Sequence, residues 1–164
     1  MDGPGPVRIL VAGIGNIFAG DDGFGCVVVR QLAGGALPEG VRPVDYGIRG
    51  MHLAYDLLEP WDALVLVDAV PDRGAPGTVE LRQIGPEHVG TGSSIDAHGM
   101  DPATVLATLA ALGGTLPLRT LLVGCQVADT GEEMSLTPLV EAAVAEAVRL
   151  VCDCIARLQP AEVR

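Results

Sequence analysis

The stretch Val7-Arg-Ile-Leu-Val-Ala-Gly-Ile-Gly-Asn-Ile-Phe-Ala-Gly-Asp-Asp-Gly-Phe-Gly25 decides the fold. Val7 to Ala12 is a short apolar, β-branched run that closes on Gly13-Ile14-Gly15-Asn16. Asp21-Asp22 then opens a segment, Gly23 to Leu32, in which Phe24, Val27, Val28 and Leu32 recur at helical spacing before Gly34-Gly35 ends it. Strand, tight loop and helix in that order make the first βα unit of a parallel sheet. Paired glycines after a first strand also occur in dinucleotide-binding folds, where a third glycine lets the helix pack closely and its N-terminus receives a pyrophosphate. Here Phe18 occupies the third glycine's place, and Asp21 and Asp22 put negative charge where the phosphates would dock. Asp21 is expected as the N-cap of the helix. That leaves Asp22 to face the cleft as a ligand for a cation.

Working outward, the remaining chain repeats the same alternation. Val41 to Tyr46 is a second strand, and its end carries the turn Asp45-Tyr-Gly-Ile-Arg-Gly50 before a short helix, Met51 to Leu58. This turn suits a surface that holds an extended peptide. Ala63-Leu-Val-Leu-Val67 is a continuous apolar run, the mark of a fully buried central strand, and it ends on Asp68. A carboxylate at that end faces the crevice where open α/β sheets bind ligands, and its burial requires a cation, an Arg or several N–H donors. Thr78 to Ile84 alternates as an edge or hairpin strand. Gly85 to Gly99 shows no period and holds His88 and His98, which makes it a functional connection. Asp101-Pro102 caps a helix over Ala103 to Leu112, Leu118 to Cys125 is another buried strand, and Ser135-Leu-Thr137-Pro138 starts a last helix, Leu139 to Leu158. The packing face of that helix is read as Leu139, Ala143, Ala147, Leu150 and Cys154.

These elements predict an α/β fold, a single-domain three-layer sandwich over 1–164 with its core at about 7–158, in which a twisted, mostly parallel sheet is flanked by helices. The 49% apolar content and mean hydropathy of +0.40 fill such a core, whereas aromatics at 3% leave it to Val, Leu, Ile and Ala. A formal charge of −11 argues against nucleic acid or an anionic membrane surface as partner. No apolar run reaches the length that crosses a bilayer, so a cytoplasmic location is expected. Cys26, Cys125, Cys152 and Cys154 lack zinc-knuckle spacing and read as reduced thiols. Only Cys125, at a strand end, invites consideration as a nucleophile. Glu132, Glu133, Glu141, His52 and His88 are read as solvated side chains.

His98 lies on a loop before a helix start, within reach of the crevice, and offers a nitrogen donor to join two carboxylates. Asp22, Asp68 and His98 are thus the candidate metal ligands. Asp22 and Asp45 are the candidate catalytic residues, Asp45 as an acid or base beside the peptide surface. Asp45 also has the reading of a turn-forming aspartate or of a ribose-binding acid, although it stands farther from Gly15 than the latter fingerprint requires. No Ser-His-Asp set or HExxH pattern is evident.

In order along the chain, Gly13-x-Gly15-Asn16, Asp21-Asp22-Gly23-x-Gly25, Asp45-x-Gly47, Val67-Asp68-Ala69, His98-Gly99 and Leu136-Thr137-Pro138 resemble the hydrogenase maturation proteases. That resemblance implies an endopeptidase that removes a C-terminal extension from a nickel-iron hydrogenase large-subunit precursor, with nickel supplied by the precursor as the recognition element. The family's metal-contacting acid falls on Asp22, its second carboxylate on Asp68 and its histidine on His98. Several relatives carry Glu at the position of Asp22, and many carry Thr at that of Ile48. A non-catalytic nickel-binding assembly factor could use the same ligands, and a nucleotide-binding α/β module is the remaining alternative.

Overall fold

The computed structural model describes residues 3–85, 102–128 and 134–160. Five strands form one sheet: β1 (Ile9–Ile14), β2 (Val41–Gly47), β3 (Ala63–Pro71), β4 (Val79–Ile84) and β5 (Arg119–Val127). Their spatial order is β2-β1-β3-β5-β4. The first four strands in that order run parallel and β4 closes one edge antiparallel to β5, as its alternating pattern predicts. Every residue of β1 is buried, as are Ala63 to Asp68 of β3, which accounts for their continuous apolar sequences.

Helices α1 (Phe24–Ala33) and α4 (Pro138–Leu158) cover one face of the sheet, and α2 (Gly50–Asp56) and α3 (Pro102–Ala111) cover the other. Alternate strand residues divide between these layers. Ile9, Val11, Val65 and Val67 meet α1 and α4, whereas Leu10, Ala12, Leu64 and Leu66 meet α2 and α3. The chain is therefore a single α/β domain of three layers. Because α1 and α2 lie on opposite faces, the winding reverses between β1 and β3, and the crevice at the carboxyl ends of those strands is where such sheets place their ligands.

Two sequence expectations are corrected. Asp21 does not cap α1: a 3₁₀ turn over Gly20–Gly23 precedes the helix, and Gly23 stands at its N-cap without a side-chain bond. The carboxylate of Asp21, only 2% exposed, instead accepts the backbone N–H of Thr137 at 2.6 Å and its hydroxyl at 2.9 Å. Thr137 is the N-cap residue of α4, as expected, but its hydroxyl serves Asp21 rather than its own helix. The buried stripe of α4 is Val140, Ala143, Val144, Ala147, Val151, Cys154, Ile155 and Leu158. Leu139 is 58% exposed and Leu150 only partly covered, because a straight helix keeps one face inward at steps of three and four from Val140.

Candidate active site

The loop after β1 is built around Asn16. Its side-chain Oδ1 accepts the N–H of Phe18 at 2.9 Å, while its backbone N–H donates to Oδ2 of Asp22 at 3.0 Å. The turn closes with Ala19 N–H on the Asn16 carbonyl and Asp22 N–H on the Ala19 carbonyl. Gly15 has φ +142, and a Cβ there would lie 2.0 Å from the carbonyl oxygen of Asp22. The polypeptide thus folds directly back over its own glycine and holds the acid at the crevice. At Gly25 a Cβ would meet the Val67 carbonyl oxygen at 2.1 Å and that of Ile14 at 2.5 Å, so α1 starts in contact with both central strands. Gly25 provides the close helix–sheet approach that a nucleotide fold obtains from the position held here by Phe18. Phe18 itself is 61% exposed.

Asp68 follows Val67 on β3, opposite Gly124 of β5, and is 8% exposed. Since Val67 pairs with Gly13, Asp68 stands at the level where β1 gives way to the Asn16 loop. Asp22 and Asp68 are therefore brought to the same end of adjacent strands, as the sequence predicts. Both take part in further interactions and neither is a free carboxylate. His98, His88 and Asp101 lie outside the described residues. Among the described residues no three His, Cys, Asp or Glu side chains are grouped to hold a metal ion.

Asp45 occupies the end of β2, paired with Gly13 on β1. Its Oδ1 accepts the Gly47 N–H at 2.9 Å and its Oδ2 accepts Arg30 Nε at 2.7 Å. Burial pushes its pKa upward, but the neighbouring Cys26 thiol, the hydrogen bonds from Arg30 and Gly47 and the Arg30 charge outweigh that and hold it below the ordinary carboxylate value. Asp45 is consequently ionised near neutrality, a form suited to fixing a guanidinium and unsuited to donating a proton. Cys26, whose Sγ donates to the Gly15 carbonyl at 3.6 Å, is pushed up to about 12 by burial first and then by the neighbouring Asp45 carboxylate.

Beside Asp45 lies a cleft of about 240 Å³ whose walls are the Asn16 loop on one side and the Tyr46–Arg49 turn on the other. The two walls are joined by a Gly15 N–H bond to the Gly47 carbonyl at 3.0 Å. Arg30 and Arg49 both enter this cleft, an arrangement that local sequence did not reveal, because one comes from α1 and the other from the turn after β2. Asn16 was visible only as part of the Gly-x-Gly-Asn pattern; its backbone contact with the Asp22 carboxylate requires the folded loop.

Residues 26–154 match the HycI family of hydrogenase maturation proteases. The chain belongs to the hydrogenase maturation protease family. It is 40% identical over 152 residues to the hydrogenase expression/formation protein HupD of Rhodobacter capsulatus, covering 88% of this chain and 71% of that one. It is 33% identical over 147 residues to the hydrogenase 2 maturation protease of Escherichia coli, covering 88% of each. Among solved structures, the hydrogenase maturating endopeptidase HybD of E. coli superposes with a TM-score of 0.80 at 31% identity, over 92% of this chain and 93% of that one. A maturation protease of Thermococcus kodakarensis, at 24% identity and a TM-score of 0.68, shares the fold. This maturation protease is accordingly a peptidase, and its buried thiols are structural in character. Cys125 is buried and pushed up to about 11, first by burial and then by the charge of Asp21, so it is protonated and shielded near neutrality. No described helix is long and apolar enough to cross a membrane.

Proposed function

We propose that this maturation protease removes the C-terminal extension of a nickel-iron hydrogenase large-subunit precursor and finds its cleavage point through the nickel already in that precursor. The observation that supports the proposal is that Asp22, in the loop after β1, and Asp68, on β3, stand at the carboxyl ends of neighbouring strands, where the sheet's winding reverses. Two carboxylates there, with His98 as the third donor, form an O/O/N set that suits a borderline divalent ion. Three such donors complete a coordination shell only together with the precursor's own ligands. The metal then behaves as part of the substrate: its capture fixes the peptide relative to the enzyme. Its charge would polarise a carbonyl or water held beside it. Water adds to the scissile carbonyl carbon, the C–N bond breaks, and a proton passes to the departing amine. Asp22, at the metal, is the proposed group for accepting the proton from water, while Asp45, its oxygens held by Gly47 and Arg30, would position the peptide at the edge of the cleft.

The test is an incubation with precursor in nickel-loaded and nickel-free forms, followed by intact-mass measurement. Wild-type enzyme is expected to shorten only the loaded precursor at its C-terminus. Asp22→Asn, Asp68→Asn and His98→Ala each should slow that reaction by about 100-fold or more, in the range usual for loss of a group that positions or polarises. Equal processing of nickel-free precursor, or normal rates in all the variants, would refute the proposal.

A further inference from the structure

The cleft next to Asp45 has a polarity opposite to that of the molecule. The chain carries a formal charge of −11, yet the charged residues lining this cleft are Arg30, Arg49 and Asp45. One positive charge therefore remains after Asp45 is paired. The carboxylate's acceptor capacity is largely used, Oδ1 by Gly47 and Oδ2 by Arg30. The surplus is in donors. Arg30 commits Nε to Asp45, while Arg49 commits Nε to the Tyr46 carbonyl at 3.2 Å and Nη2 to the Asp45 carbonyl at 2.8 Å. Among the described residues, both Nη groups of Arg30 and Nη1 of Arg49 make no further hydrogen bond. These contacts brace both guanidinium groups at the cleft and leave N–H groups for an incoming ligand.

The surroundings describe the rest of that ligand. Phe18 and Ile48, 61% and 60% exposed, line the same cleft. A second hollow of about 410 Å³, lined in part by Val27, Leu136 and Met134, shares Ile17 and Arg30 with it. Arg30 thus stands at the junction of two adjoining hollows with largely apolar walls, the second of which also carries Glu141. An extended peptide can cross both, with apolar side chains against the walls and an anionic group at the junction. A planar carboxylate matches guanidinium donors better than a spherical anion does, because both oxygens accept at once.

We propose that the Arg30–Arg49 cleft is a specificity subsite that takes a carboxylate of the precursor segment next to the cleaved bond. This inference rests on the reading above that the substrate is such a precursor segment. The carboxylate comes either from an Asp or Glu side chain near the cleavage point or from the end of the tail itself. Engagement here draws the segment alongside the Asn16 loop, and therefore alongside Asp22. The subsite governs which precursor is accepted, not the chemistry at the metal.

The experiment compares KM and kcat on three nickel-loaded precursors: the native one, one with the flanking Asp and Glu residues changed to Asn and Gln, and one whose tail is extended by Gly-Ser repeats to displace its terminal carboxylate. One of the two altered precursors is expected to show a KM raised about tenfold with kcat within twofold, and which of them does so identifies the source. Arg49→Gln and Arg30→Gln should each raise KM on native precursor similarly, with little further loss on the sensitive altered one. A Lys at the responsive side-chain position should regain affinity with Arg49→Glu, an outcome that loosening of the turn would not produce. Unchanged KM for both altered precursors, or arginine variants that lower kcat alone, would overturn the subsite. Failure of wild-type enzyme to cut native loaded precursor would instead overturn the functional reading. In that event, fluorescence anisotropy with labelled acidic and amide peptides from the precursor's C-terminal region still decides the subsite: equal affinity for both refutes it, and a tenfold preference for the acidic peptide sustains it.

Discussion

Cys26 lies against the carboxylate of Asp45, Cys125 is enclosed by β5 and its covering helix, and Cys154 belongs to the buried stripe of α4. Only Cys152 is exposed. Burial raises all three enclosed thiols, with Asp45 adding to the shift at Cys26 and Asp21 to that at Cys125. A raised thiol pKa favours the neutral form, so these groups become more reactive only as pH climbs well past the ordinary value of 9.0. Iodoacetamide at pH 8 should therefore modify Cys152 alone in the folded protein and all four cysteines after denaturation, read by intact mass. Rapid native labelling of Cys125 would reopen a thiol mechanism. At this scale Asp22 and Asp68 were legible because each ends or follows an apolar strand. The partners of Asp21, Arg30 and Arg49 were not, since their contacts join segments whose proximity exists only in the fold.

The strands were readable from their composition, and their ends shifted only slightly. Leu118 to Cys125 became Arg119–Val127, for instance, because inter-strand bonding to β3 continues as far as the Pro71–Val127 pair. Helix α4 was readable in extent and in Ala143, Ala147 and Cys154 of its buried stripe, whereas Leu139 and Leu150, which share one flank of that stripe, were placed in it wrongly. The interaction between elements with the clearest energetic consequence is the Asp21–Thr137 latch, which ties the turn before α1 to the start of α4 across the chain. Asp21→Ala removes an acceptor from a buried N–H and a hydroxyl. The expected loss is about 1–3 kcal/mol for stranding such donors. Urea denaturation should show the midpoint falling with little change in slope. Processing should fall as well, because Asp21 and Asp22 share one turn, whereas an unchanged midpoint would mean that the latch carries no net stability.

For the whole molecule, winding order connects the fold to the proposed chemistry. Strands β1 and β3 are central neighbours, and the helix that follows β1 and the helix that precedes β3 lie on opposite faces. The crevice they leave receives Asp22 from the first loop and Asp68 from the third strand. Beyond β1, the adjoining edge carries the Arg30–Arg49 cleft on the side of β2. One end of the sheet thus carries Asp22 and Asp68 at the carboxyl ends of β1 and β3 and, beside them on the β2 side, the Arg30–Arg49 cleft, a division of charge that the overall figure of −11 conceals. The parallel order was legible as a class from the alternation of strands and helices, but placing these two patches next to each other required the sheet's actual order.

The most direct measurement is nickel K-edge X-ray absorption on the loaded precursor, alone and mixed with the protease. The account predicts that wild-type protein adds oxygen and nitrogen scatterers to the metal's first shell, and that the Asp22→Asn/Asp68→Asn double variant, shown by circular dichroism to be folded, leaves the spectrum of the isolated precursor unchanged. A wild-type complex that processes the precursor while its nickel shell stays the same would contradict the claim that these carboxylates grip the substrate's metal.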